Sequence, residues 1–247
     1  EVSGRGKTTL KIDQIRELQQ ELNLAAYEAH WKVAILRQFE TATPGAANAF
    51  LKTLEEPPAG VVLLLTAADA DTLLPTIRSR CRIITLRPLS VELVERSLAG
   101  RWHVPPDKAH LLAHLSGGRL GWAVQAAADP SLLETRAAHL AALQTALRGR
   151  RVARFSLAAK LAEDAEALPP VLQTWQSWWR DLALLVQGEG GSLTNVDQQA
   201  ELEELAYRWR PEQVLASLKQ TREALGQLER NANTRLVMEC LFLFYPY

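Results

Sequence analysis

Residues 32–66 read KVAILRQFETATPGAANAFLKTLEEPPAGVVLLLT. Two short apolar runs, Lys32–Leu36 and Val61–Thr66, stand at the ends of this stretch. Each has the length of a buried strand and is too short for a core helix. Between them, Thr43 can cap a helix and Pro44 suits its first turn. AANAFLKTLEE continues that helix until Pro57-Pro58 stops it. Strand, helix and strand in this order predict a parallel α/β sheet.

The same reading extends outward. Ile12, Ile15, Leu18 and Leu22 recur at helical spacing and predict an amphipathic helix over 12–22. Asp71 can open a short helix over Leu73–Ser79, and Arg82–Leu86 (RIITL) reads as a third strand. At Pro88 the pattern changes, and only helices are predicted beyond it. They cover 90–99, 106–115, 120–128, 131–148, 151–164, 168–187, 196–209, 211–229 and 233–244. The breakers between them include Gly100, Pro105-Pro106, Ser116-Gly117-Gly118, Pro130, Gly149, Pro169-Pro170, Gly188–Gly191 and Pro211. A three-helix unit closes near Pro130, before a longer helical bundle.

The chain has 247 residues, enough for one to three domains at about 150 residues each. Its 47% hydrophobic and 23% charged residues are ordinary globular values. Lys+Arg and Asp+Glu both number 28, so the net charge is zero. Residues 1–130 carry 15 basic and 14 acidic side chains, so no local excess is hidden there. That argues against a free-standing, sequence-independent nucleic-acid binder, whose affinity comes from neutralising phosphates. Two cysteines, Cys81 and Cys240, are too few for a disulfide scaffold or a four-cysteine zinc site. A reducing cytoplasm is the simplest compartment, and no apolar run is long enough to span a membrane. The chain starts at Glu1 without a signal pattern, which suggests an internal start.

Gly6-Lys7-Thr8 looks like the end of a phosphate-binding P-loop. Such a loop needs a glycine where Glu1 stands and a strand leading in. A solvated turn is the better reading. A strand that holds Mg²⁺–ATP ends in an acid, because the hard cation takes carboxylate oxygens. Here Lys32–Leu36 runs into Arg37-Gln38, and Glu40 lies beyond the strand end. Ser79-Arg80-Cys81 sits between a short helix and the third expected strand. Arg80, alternating with Arg78 and Arg82, is either a surface charge or an arginine that reaches a phosphate on a neighbouring molecule. Cys81 reads as a small buried hydrophobe. His110 and His114, spaced i,i+4 with His103 nearby, lack a third zinc ligand and read as surface histidines. Trp175, Trp178 and Trp179 share one helix side and read as core or interface packing. Glu201, Glu203 and Glu204 read as a solvated face.

Asn48–Pro58 (NAFLKTLEEPP) and Leu73–Cys81 (LLPTIRSRC), at this spacing, resemble the AAA+ clamp-loader subunits of bacterial DNA polymerase III, and among them the delta prime family. Ile12–Leu18 (IDQIREL) and Asn231–Leu236 (NANTRL) resemble other segments of that family. The resemblance runs from about residue 9 to 244. It implies a P-loop NTPase-like α/β base fragment with a parallel sheet over 1–88, an all-α three-helix lid over 89–130, and an all-α collar for oligomerisation over 131–247. The whole would be helix-dominated.

The resemblance further implies a stator that does not hydrolyse ATP and has no intrinsic enzymatic activity. It would help load the sliding clamp onto primed DNA in replication, beside gamma/tau and delta subunits in a cytoplasmic hetero-pentamer. Arg80 matches the arginine that the family supplies in trans to a neighbouring gamma/tau ATP site, with Ser79 and Cys81 completing the motif. Thr66 and Arg119 fall at the sensor positions and, without a local nucleotide, are vestigial or packing residues. No cofactor is expected in this chain. Mg²⁺–ATP would be bound by the neighbour, and the family's first strand, P-loop region and zinc module would lie before Glu1. Arg37-Gln38 counts against the alternative of an ATP-hydrolysing gamma/tau-like motor. The Ser79–Cys81 motif counts against a helical adaptor that merely keeps the fold.

Overall fold

The computed structural model describes residues 9–24 and 30–246. Gly6-Lys7-Thr8 and Glu1, weighed above as a P-loop, lie outside the described residues. The chain divides into two compact units, Glu1–Leu86 and Arg87–Tyr247.

The first unit holds α1 (Ile12–Asn23), β1 (Lys32–Leu36), α2 (Pro44–Glu55), β2 (Val61–Leu65) and the single turn α3 (Pro75–Arg78). β1 and β2 pair in parallel, with Val33 opposite Val62, Ala34 opposite Leu63 and Ile35 opposite Leu64. Side chains alternate across a sheet. Ala34 and Leu36 therefore enter a core with Ile15, Leu22, Phe39, Ala47, Phe50 and Ile77. Val33, Ile35, Val62 and Leu64 point the other way and are exposed. α2 begins as its sequence dictates, with the Thr43 side chain accepting from the Ala46 amide at 3.2 Å and Pro44 in the first turn.

The expected third strand is absent. Arg82–Leu86 forms no strand among the described residues, and Ile83, Ile84 and Leu86 are exposed. β-propensity needs a neighbouring edge to become a strand, and the described sheet contains only β1 and β2. The short helix before it also differs from expectation. Asp69, not Asp71, opens a 3-10 turn at Ala70–Thr72, accepting from the Asp71 amide at 2.9 Å. Leu73 ends the 3-10 turn in extended geometry, Leu74 is driven from helical geometry because it precedes proline, and α3 starts at Pro75.

The second unit has helices and no strand among its described residues. α4 (Val91–Trp102), α5 (Pro106–Leu115) and α6 (Leu120–Ala128) share a core of Val94, Leu98, Leu112, Ala113, Ala123 and Ala126. Gly100 does not break α4, which ends at His103 with a left-handed φ of 55°. An exposed mid-helix glycine costs only about 1 kcal/mol relative to alanine, less than the helix gains by burying Val94 and Leu98.

Then follow α7 (Ser131–Arg148), α8 (Arg151–Leu161), α9 (Leu168–Val186), α10 (Gln199–Arg208), α11 (Pro211–Glu229) and α12 (Thr234–Phe244). α8 stops three residues before its expected end. Asp164 there turns the chain, accepting from the Glu166 and Ala167 amides at 3.2 and 3.1 Å. Residues 196–198 form a 3-10 turn that leads into α10. Trp175, Trp178 and Trp179 of α9 are buried, as their spacing predicts. Trp178 meets Trp179 edge-on at 5.1 Å, and Trp179 stacks on Trp209 at 5.6 Å. The Trp175 indole N–H donates to the His139 carbonyl at 2.7 Å. Tyr245 closes this core, its hydroxyl 2.8 Å from Thr221 Oγ1, and burial pushes its pKa far above the ordinary value.

Candidate functional site

Ser79-Arg80-Cys81 leaves α3 as a tight turn. The Ser79 amide donates to Pro75, the Arg80 amide to Ile77 and the Cys81 amide to Arg78, at 3.0–3.3 Å. Ile77, 1% exposed, anchors this turn in the core of the first unit. A rigid base thus carries Arg80 at the surface.

The guanidinium of Arg80 is held on two sides. Nε donates to Glu55 Oε1 at 2.6 Å, and Nη2 pairs with the same oxygen. Nη1 donates to the Thr76 carbonyl at 2.9 Å and to Ser79 Oγ at 3.2 Å. Arg78 turns to a different carboxylate, Asp71, at 2.7 Å. The alternating arginines therefore do not share one acceptor. Ser79 supports the turn through its hydroxyl, which donates to the Thr76 carbonyl at 3.2 Å. Cys81 is half-buried against the core, and burial raises its thiol pKa, which disfavours the nucleophilic thiolate.

The end of β1 carries the residues that the sequence places there. Arg37 and Gln38 follow the strand, and Gln38 takes a left-handed φ of 52°. Thr66 sits across from them. Its hydroxyl accepts from the Gln38 amide at 3.1 Å, its carbonyl from Phe39 at 2.9 Å, and its amide donates to Leu36 at 2.9 Å. Thr66 so ties the two strand ends together. Glu40 Oε1 accepts from the Ala68 amide at 3.2 Å, and Oε2 is buried without a partner.

The remaining candidates lie in the second unit. Arg119 precedes α6, and its Nε donates to the Ser116 carbonyl at 3.0 Å. The rings of His110 and His114 lie 4.7 Å apart at a 56° tilt, but Nδ1 of His110 faces Glu95 at 3.2 Å and that of His114 the Leu193 carbonyl at 2.7 Å. His103 forms the left-handed end of α4. Among the described residues no three metal-ligating side chains come together. Glu201 departs from the solvated face expected of it. It accepts from Gln144 Nε2 at 2.7 Å and links α10 to α7, while Glu203 and Glu204 are exposed. The contact spans 57 residues, beyond what helical periodicity can indicate.

Glu55 lies within the Asn48–Pro58 motif, yet its pairing with Arg80 is not apparent from that motif. One signal was present. A carboxylate in the last turn of a helix opposes the helix dipole, so Glu55-Glu56 at the end of α2 called for a cation nearby.

Comparison with known proteins follows the same division of the chain. A family model described as DNA polymerase III, delta subunit, matches residues 2–90. A second, described as DNA polymerase III, delta subunit, C terminal, matches residues 130–244. DNA polymerase III subunit delta prime of Escherichia coli is 37% identical over 120 residues, covering 49% of this chain and 36% of that protein. The delta prime subunit of Yersinia pestis is 31% identical over 205 residues, covering 82% of this chain and 60% of that one. The tau subunit of Escherichia coli is 33% identical over 115 residues, covering 44% of this chain and 18% of its own length. In each case the chain spans less than two thirds of the relative's length. No helix among the described residues is long and apolar enough to cross a membrane. With delta-subunit models matching both the N-terminal and the C-terminal part of the chain, and a delta prime relative aligned over 82% of it, the chain belongs to the delta prime subunit family of DNA polymerase III.

Proposed function

We propose that the chain acts as a non-hydrolysing subunit of the DNA polymerase III clamp loader. In this role it supplies Arg80 in trans to the ATP site of a neighbouring gamma/tau subunit. The observation that carries the reading is the presentation of Arg80 on the α3 turn, in a chain whose β1 runs into Arg37-Gln38 where a metal-binding acid would stand. An arginine is always charged and planar, and its fork matches phosphate oxygens. Placed against a transferring phosphoryl group, it stabilises charge that grows in the transition state. The chain would itself bind no nucleotide, and Mg²⁺–ATP would be held by the neighbour.

The proposal divides the chain into a AAA+ base over 1–88, a lid over 89–130 and a collar over 131–247. Its partners are gamma/tau and delta, with the sliding clamp and primed DNA reached through the complex in the cytoplasm. Zero net charge suits an assembly subunit whose complex makes most phosphate contacts elsewhere.

The test is a clamp loader reconstituted with gamma/tau, in which the site facing this chain is the only hydrolysing one. Arg80→Ala should lower DNA-stimulated turnover there by about 10³-fold, the lower range for such fingers, with assembly intact. Turnover at the wild-type level would leave a scaffolding role at most. The match to tau favours one second reading, an ATP-hydrolysing motor. Tight Mg²⁺–ATP binding by this chain in an equilibrium titration would establish that reading instead.

A further inference from the structure

We propose that Glu55 is the positioning residue of Arg80, fixing the guanidinium so that its remaining Nη2 N–H faces the neighbouring subunit's phosphate. The inference rests on the trans-acting role proposed for Arg80. A free arginine side chain samples many rotamers and would lose that freedom each time it engaged a phosphate. Here the freedom is already gone. Glu55 takes Nε and Nη2 along one edge, and the Thr76 carbonyl takes Nη1. A guanidinium has five N–H groups in a fixed fork. The second hydrogen of Nη2 remains for an oxygen outside this chain.

The setting fits orientation better than stability. The Arg80 and Glu55 side chains are 33% and 47% exposed, and exposed ion pairs contribute little to folding. Glu55 also stands in the last turn of α2, where a carboxylate is disfavoured by the helix dipole. The three contacts come from two elements, α2 and the α3 turn, and both are anchored in the same core by Phe50 and Ile77. The held arginine therefore keeps a fixed place relative to the base.

The experiment uses the reconstituted clamp loader with one competent neighbouring site. It compares wild type, Glu55→Ala, Glu55→Gln, Arg80→Ala and the double variant Glu55→Ala/Arg80→Ala. Misplacing a catalytic group by an ångström can cost up to about a hundredfold. Glu55→Ala should therefore lower kcat about 10- to 100-fold with KM for ATP unchanged, because the neighbour still binds the nucleotide. Glu55→Gln keeps a carbonyl oxygen as acceptor and should recover most of the rate. The double variant should be no slower than Arg80→Ala alone, and the thermal midpoint of Glu55→Ala should match wild type.

Wild-type or raised kcat in Glu55→Ala, with Arg80→Ala crippled, overturns the positioning role and leaves the trans-acting arginine standing. A double variant slower than Arg80→Ala, a lowered thermal midpoint or failed assembly of Glu55→Ala makes Glu55 a structural residue and overturns the proposal too. If Arg80→Ala keeps wild-type turnover, the trans-acting role itself fails and Glu55 has nothing to position.

Discussion

Arg154 carries a permanent charge yet is 2% exposed. Its guanidinium donates to the carbonyls of Ala146, Gly149, Phe242, Tyr245 and Pro246 at 2.6–3.0 Å. It fastens the end of α12 to the turn between α7 and α8. Buried acceptors stripped of their donor each cost about 1–3 kcal/mol. Arg154→Ala should therefore destabilise the second unit by about 3–5 kcal/mol, read as an earlier urea midpoint. Lysine should not rescue it, since one ammonium cannot span carbonyls on both sides.

His139 adds a pH dependence at the same scale. Burial lowers its pKa below the ordinary 6.5, and its Nδ1 lies 3.1 Å from Thr174 Oγ1. The unfolded chain thus takes up a proton more readily than the folded one. The stabilising contribution of His139 is full above pH 6.5 and is lost as pH falls through the lower folded value. The thermal midpoint should drop between pH 7 and pH 5.5, and less steeply in His139→Gln. Arg80, Thr66 and Cys81 are singled out through the resemblance of the segments that carry them. Arg154 is not, because the carbonyls of Phe242, Tyr245 and Pro246 that it holds lie 88 or more residues away.

Among the elements, the turn between α5 and α6 tolerates least change. Gly118 has a φ of +80°, and a Cβ there would sit 2.4 Å from the Leu89 carbonyl oxygen and 2.7 Å from its nitrogen. The Leu89 amide donates to the Gly118 carbonyl at 3.0 Å, so the turn closes on the chain entering α4. Gly118→Ala adds backbone strain to a collision with backbone and should cost about 2–4 kcal/mol. Gly121, inside α6 with open space around its Cβ position, is the control. Gly121→Ala should be neutral or stabilising by up to about 1 kcal/mol. Thermal denaturation of the two variants separates these outcomes.

Element boundaries were legible where chemistry marks them. Pro44, Pro106 and Pro211 each start the helix read at that position. The failures share one physical origin. Arg82–Leu86 has the composition of a strand but no partner edge, and Gly100 is outweighed by the packing of the rest of its helix. Local text reports propensity, whereas these outcomes depend on what lies alongside.

At the level of the whole molecule, apolar surface is unevenly covered. Parallel sheets ordinarily bury both faces. Here Val33 and Ile35 of β1 and Val62 and Leu64 of β2 form an exposed apolar face. The isolated chain should bind an apolar dye such as ANS there. Ile35→Lys should reduce that fluorescence while leaving helicity and the thermal midpoint nearly unchanged, because the side chain already faces solvent. A large loss of stability would instead place Ile35 in a packed contact. The α/β-then-helical order was legible from periodicity. The bare face was not, since alternation shows that a strand has two sides but not what covers each.

The stretch from Leu193 to Asn195 carries more than its length suggests. Asp181 of α9, fully buried, accepts from the Thr194 and Asn195 amides at 2.9 and 2.6 Å and from the Asn195 side chain at 2.8 Å. One residue earlier, the Leu193 carbonyl meets His114 of α5. Three consecutive residues thus form a short tether between the α4–α6 helices and the tryptophan-lined α9. Loss of the Asp181 carboxylate would strand two backbone amides of this segment and so loosen, at one stroke, the stretch whose first residue holds His114.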